Sequence, residues 1–205
     1  MKLLPGSVNM GKRGWMNMQN VSMIVLAGGE SSRMGTDKSD LIYKGRSFLE
    51  IQADKAQALQ IRDVLVSGYR GSLQTNYPII PDQTAGKGPL GGLATCLEAI
   101  ENDRALVLSV DAPLVPAEVL KKLVAYAINS TCKAVISKCG QHQYPLIGVY
   151  HRSLAPAMLE EIELHRGSVF AMLRRVEYDV CIFDEDPVLF SNINDPESYN
   201  ELLNR

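Results

Sequence analysis

Apolar positions along this chain follow two alternating rhythms. Residues 22–27 (SMIVLA) form a short, nearly continuous apolar run that ends at Gly28, the pattern of a strand buried on both faces of a parallel sheet. Residues 48–59 then space Phe48, Leu49, Ile51, Ala53, Ala56 and Leu59 at intervals that suit a helix. Residues 63–67 (DVLVS) read as a second strand and 77–80 (YPII) as a short third. A helix is expected over 90–100, a buried strand over 105–110 (ALVLSV), and a helix opened by Pro116 that runs to about residue 129. Strands follow at 134–137 and 146–150 with a loop over 140–145, then helices at 154–164 and 169–176. A strand at 179–183 and a last helix over 196–203, capped by Asp195, close the chain.

Strands alternating with helices argue a mostly parallel sheet with helices on both faces, a three-layer α/β/α architecture. At 205 residues, without an internal repeat or a linker, the chain is long enough for one such domain and short for two. Ligands in sheets of this kind bind beyond the carboxyl ends of the strands, where the loops after Ala27, Ile80 and Val110 gather.

Composition narrows the partners. With 46% apolar and 21% charged residues the chain is globular, and a net charge of −2 gives no general attraction to nucleic acid or to an anionic membrane, so neither is expected as a partner. Phosphate binding must therefore come from local placement of charge. No apolar run approaches the roughly 20 residues that span a bilayer. The four cysteines, Cys96, Cys132, Cys139 and Cys181, lack metal spacing and read as reduced thiols of a cytoplasmic protein. Residues 1–20 carry no apolar core of a signal peptide and are expected to be a disordered leader, with the domain over 21–205.

The loop behind the first strand holds the candidate chemistry. In VLAGGESSRMGTDK (residues 25–38), Gly28 and Gly29 let consecutive backbone N–H groups face one point, and Arg33 and Lys38 add positive charge, a combination suited to a triphosphate. The competing reading is a solvated turn whose glycines serve only the backbone. Neither the G-x-x-x-x-G-K-[ST] nor the G-x-G-x-x-G phosphate loop fits this spacing. Asp111 stands just past a buried strand and before Pro113, where an aspartate commonly caps a turn.

The run from Leu26 to Lys38, L-A-G-G-x-S-x-R-M-G-x-D-K, closely resembles the signature of the nucleotidyltransferases related to molybdenum cofactor guanylyltransferase. Pro81-Asp82 followed by Gly88-Pro89-Leu90-Gly91-Gly92 resembles that family's second loop, Val110-Asp111-Ala112-Pro113 its metal-binding element, and Asn192 to Glu197 its late N-x-N-T-P-E segment, all in the family's order. Val110, Ala112 and Asp195 depart from the usual residues, Tyr144 interrupts a partial Q-P-L match at Gln143 and Pro145, and Ser67-Gly68-Tyr69 stands where relatives often place an asparagine.

The resemblance implies a Rossmann-like nucleotidyltransferase fold and transfer of GMP from GTP to the terminal phosphate of molybdopterin or molybdenum cofactor, with release of pyrophosphate. It implies Mg²⁺ as cofactor and, as further partners, molybdoenzyme chaperones or other cofactor-synthesis proteins. Carried onto this chain, Arg33, Lys38 and Asp111 are the catalytic residues, with Asp111 the metal ligand. Leu26, Ala27, Gly28, Gly29, Lys38, Asp82, Gly88, Pro89, Leu90 and Asp111 bind the nucleotide, and Asn192 and Asn194 the acceptor. The alternatives are a cytidylyltransferase for the same cofactor, a sugar-phosphate nucleotidyltransferase, or a non-catalytic cofactor carrier.

Overall fold

The first strand, β1 (Val21–Leu26), is buried along its whole length. Its alternate side chains serve two different cores: Met23 and Val25 face one apolar cluster, Ile24 and Leu26 the other. Ser22 is the polar exception, and its hydroxyl is satisfied by donating to the Asp63 carboxylate and accepting from the Asn102 amide at 3.1 Å. These features come from a computed structural model that describes residues 18–28, 37–81, 88–165 and 168–205. Of the leader expected over 1–20, residues 1–17 lie outside the described residues. Met18 is buried against the first core.

After β1 the chain makes a small hairpin, β2 (Ile42–Tyr43) and β3 (Arg46–Ser47), then α1 (Phe48–Ala58) and β4 (Val64–Ser67). It continues through β5 (Ile79–Ile80), α2 (Pro89–Ala99), β6 (Arg104–Ser109), α3 (Ala117–Asn129), β7 (Ala134–Cys139) and β8 (His142–His151). The last elements are α4 (Ala155–His165), α5 (Val169–Arg175), β9 (Tyr178–Phe183) and α6 (Pro196–Leu203). Among the described residues seven strands form one sheet in the order β5-β4-β1-β6-β8-β7-β9, parallel except for β8, which runs against both of its neighbours. Side chains of α1 and α3 pack in one core and those of α2, α4 and α5 in the other, giving the expected three layers.

Helix starts follow local chemistry. Ser47 and Glu50 form a capping box that starts α1, and Asp195 with Ser198 does the same for α6. Pro89 opens α2 at a position where its missing N–H costs nothing.

Two stretches differ from the pattern-based expectation. Residues 140–145 do not stay a loop, because β8 starts at His142 and pairs Gln143 with Lys138 and Tyr144 with Ser137. The ladder shifts register between Ile136 and Ser137, and the irregularity takes up Pro145, which has no N–H to donate. The Pro145 carbonyl instead accepts from the hydroxyl of the fully buried Tyr150 at 2.6 Å. The β2–β3 hairpin, too short for an apolar pattern to announce, turns through Lys44 and Gly45, both at positive φ, as a two-residue hairpin turn of this hand requires. Among the described residues no helix is long and apolar enough to cross a membrane.

Candidate active site

The chain leaves β1 toward β4 on one side of the sheet and later leaves β6 toward the other, so a crevice opens beyond the adjacent ends of β1 and β6. Leu26 and Ser109 are paired at those ends, and the Val110 N–H donates to the Leu26 carbonyl at 3.0 Å. This contact brings Asp111 beside the turn at Ala27 and Gly28. Ala27 is buried and its N–H donates to the Ser67 carbonyl at 3.0 Å, while Gly28 is exposed. A Cβ at Gly28 would lie 3.1 Å from the Gly68 Cα, so glycine here lets the loops after β1 and β4 touch.

Lys38 heads a short 3₁₀ turn, Lys38–Asp40, capped by the Asp37 carboxylate accepting from the Ser39 N–H at 2.9 Å. Its ammonium lies 2.8 Å from Asn194 Oδ1 and 3.4 Å from Asp111 Oδ2. The Lys38 and Asp111 side chains are 20% and 13% exposed, enough for a ligand to reach them and little enough that their charges are only partly screened. Asp40 ties the same turn to the segment after β4, accepting from the Tyr69 hydroxyl at 2.8 Å and the Ser72 N–H at 2.9 Å. Burial, together with Asp40, pushes the Tyr69 phenol up to about 12, so it stays a donor at neutral pH.

Asp111 is fixed from three directions. The Ser109 hydroxyl donates to its Oδ1 at 2.5 Å, the Ile193 N–H donates to its carbonyl at 2.7 Å, and Lys38 faces its Oδ2. Asn192 and Asn194 flank that anchoring Ile193 and are both exposed. Tyr199 of α6 holds the segment down by packing edge-on against Phe48, with ring centroids 6.1 Å apart, and donating to the Ile42 carbonyl at 2.7 Å.

The N-terminus of α2 opens beside the same crevice. Gly88, its N-cap at φ 71°, has no side chain of its own to cap the first-turn N–H groups. A Cβ on Gly92 would meet the Ser67 hydroxyl oxygen, so α2 lies hard against the end of β4. Gly88 and Pro89 are exposed, whereas the Leu90 and Leu26 side chains are buried in the second core and present only backbone to the crevice. Gly29, Arg33 and Asp82 lie outside the described residues.

Three further residues support the site without having been singled out from the sequence: Ser109, and Gln52 and Lys55 on the buried face of α1. Gln52 Nε2 donates to the Ser109 and Ala112 carbonyls at 2.9 and 3.2 Å. Lys55 Nζ donates to the carbonyls of Pro113 at 3.0 Å and Ala112 at 3.4 Å, and to Gln52 Oε1 at 2.8 Å. Burial pushes the Lys55 ammonium down to about 7. A polar pair at helical spacing among apolar neighbours was the available signal, because such groups are buried only with partners.

Gly28, Lys38 and Asp111 thus gather beyond the adjacent ends of two parallel strands, where α/β sheets bind their ligands. The sequence model of the MobA-like NTP transferase domain matches residues 23–178. A molybdenum cofactor guanylyltransferase of Campylobacter jejuni is 32% identical over 192 residues, covering 93% of this chain and 99% of that protein. Among solved structures, molybdopterin-guanine dinucleotide biosynthesis protein A from Archaeoglobus fulgidus superimposes with a TM-score of 0.75 at 22% identity, covering 90% of this chain and 97% of that one. The 2-C-methyl-D-erythritol 4-phosphate cytidylyltransferase of Thermus thermophilus shares the fold at a TM-score of 0.67 and 15% identity, covering 90% and 98% of the two chains. The chain belongs to the MobA-like NTP transferase family and is a nucleotidyltransferase.

Proposed function

We propose that this protein transfers GMP from GTP to the terminal phosphate of molybdopterin or molybdenum cofactor. A phosphate oxygen of the acceptor attacks the α-phosphorus of GTP, the bond between the α- and β-phosphates breaks, and pyrophosphate leaves. The observation that carries the reading is the convergence of Lys38, Asp111 and Asn194 at one crevice, in a chain whose relatives include a molybdenum cofactor guanylyltransferase. A fold shared with a cytidylyltransferase does not decide the base, so the guanylyl assignment leans on the curated relatives.

In this reading the backbone N–H groups of Gly28 and Gly29, that of Ala27 being given to the Ser67 carbonyl, and the first turn of α2, with Gly88, Pro89 and Leu90 offering backbone, hold the nucleotide. Leu26 supports the same turn from the core, and Asp82 contacts the nucleoside. Arg33 and Lys38 neutralise the phosphates as the pyrophosphate departs, so little covalent work falls to the protein. Asn192 and Asn194 bind the acceptor on the far side of Lys38.

The donor set fits Mg²⁺. Among the described residues no group of three or more histidine, cysteine, aspartate or glutamate side chains is arranged for a metal, whereas Mg²⁺ is commonly held by one or two carboxylates together with substrate phosphates and water. Asp111 offers such a carboxylate, with Oδ1 oriented by Ser109 and Oδ2 beside Lys38. When bound there, Mg²⁺ supplies Lewis-acid charge to the phosphoryl oxygens.

The test is thermal stabilisation of the purified protein by GTP, CTP, ATP and UTP, each with and without Mg²⁺. Stabilisation selective for GTP and strengthened by Mg²⁺ is expected. Stabilisation by CTP with none by GTP overturns the guanylyl reading.

A further inference from the structure

Gln52 and Lys55 lie almost one turn apart on α1, and their side chains reach the turn that carries Asp111 from beneath. Both are buried, at 0% and 7% exposure. Between them they donate to the carbonyls of Ser109, Ala112 and Pro113, the residues that bracket Asp111 on either side. The Ala112 N–H also closes back onto the Ser109 carbonyl at 3.2 Å, so the turn is tight as well as tethered. The Asp111 carbonyl is drawn the other way, toward the Ile193 N–H. With the peptides on both sides of Asp111 anchored to α1, the direction of its side chain is set by contacts that never touch the carboxylate.

An apolar residue of similar size at position 55 would fill the same space and avoid burying an ammonium, yet it would leave the Pro113 carbonyl and Gln52 Oε1 without their donor and the Ala112 carbonyl with Gln52 alone. The arrangement is thus costly as packing and useful as orientation.

We propose that the Gln52–Lys55 pair is a positioning clamp that aims the Asp111 carboxylate at the nucleotide's divalent cation, and that it tunes how strongly nucleotide binding depends on that cation. The inference rests on the reading of Asp111 as the metal-holding carboxylate. Gln52 and Lys55 are positioning residues, since they act through the turn from Ser109 to Pro113 and contact neither substrate nor metal.

The experiment compares GTP affinity measured with Mn²⁺ and with EDTA, for the wild type and for Asp111→Asn, Lys55→Met and Gln52→Met. The ratio of the two affinities reads the metal's contribution without turnover. Wild type is expected to bind GTP more tightly with Mn²⁺, and Asp111→Asn to lose the difference. The clamp variants should lower the ratio about tenfold, as loss of groups that orient a metal ligand does, with affinity in EDTA unchanged. If Lys55→Met does not fold, Gln52→Met carries the test, because it removes two tethers and adds no charge. A folded clamp variant with the wild-type ratio overturns the clamp and leaves Asp111 standing. A wild-type ratio that Asp111→Asn does not change overturns the metal reading itself, and the clamp with it.

Discussion

The amide oxygen of Asn194 accepts a hydrogen bond from the Lys38 ammonium at 2.8 Å, joining the turn that follows the glycine-rich loop to the segment before α6 across 156 residues. The same ammonium faces Asp111 at 3.4 Å, so one lysine stands between the proposed metal ligand and a proposed acceptor contact. An in-line displacement needs this economy, because the attacking and leaving oxygens lie on opposite sides of one phosphorus.

Replacing Lys38 by methionine should lower kcat about a hundredfold or more, the usual cost of removing a charge aimed at a transition state, with little change in melting temperature. Steady-state kinetics alongside a thermal scan would check it. A variant that keeps kcat and loses stability would assign Lys38 to the fold alone.

Asn194→Ala should raise KM for the acceptor roughly fivefold, about the worth of one hydrogen bond, with KM for GTP nearly unchanged. Varying each substrate at saturating levels of the other separates the two. A rise confined to GTP would move Asn194 to the nucleotide side.

Asp111→Asn should reduce turnover about a thousandfold while the protein stays folded, because Ser109 can still donate to an amide oxygen of the same shape and the Ile193 N–H bonds the backbone carbonyl, which the substitution leaves in place. A non-catalytic carrier has no need of that carboxylate, so undiminished delivery of cofactor by Asp111→Asn in a reconstitution assay would favour the carrier.

Lys55 sets a pH signature on stability. Its folded-state value of about 7 lies below the ordinary 10.5, so between those values the unfolded chain binds a proton that the native chain does not. Its contribution therefore makes stability rise with pH from about 7 toward about 10, and the burial cost is fully felt below pH 7. Denaturant titrations of wild type and Lys55→Met across that window should show wild type gaining on the variant as pH rises; parallel curves would mean that the three acceptors hold Lys55 at its ordinary value.

Gly28→Ala should weaken GTP binding about tenfold, since its Cβ would sit 3.1 Å from the Gly68 Cα and the two loops must part to admit it, at a cost of about 1–3 kcal/mol typical of overpacking. Isothermal titration with GTP checks it, and an unchanged affinity would mean that the loops separate freely.

That Gly28 and Asp111 stand just past the ends of two buried strands was legible in the sequence, because the strands announce themselves by continuous apolar runs. Gln52, Lys55 and Ser109 were not, since their roles exist only once α1 packs beneath a turn lying 57 to 60 residues further along the chain. The start of β8 escaped for a related reason. His142, Gln143 and Tyr144 carry no strand-like alternation, and they pair because β7 offers its edge and the irregularity at Pro145 absorbs the mismatch. Burial of Leu90 was likewise a matter of which face of α2 meets the sheet, a fact that a glycine-proline-leucine motif does not carry.

Guanylyl transfer is tested by supplying molybdopterin, Mg²⁺ and equal concentrations of GTP and CTP, each labelled at the α-phosphate, and following label into the product along with pyrophosphate release. Label is expected from GTP alone, with one pyrophosphate per molecule of product, and both slowed about a thousandfold with Asp111→Asn. Label entering from CTP while GTP is ignored would contradict guanylyl transfer.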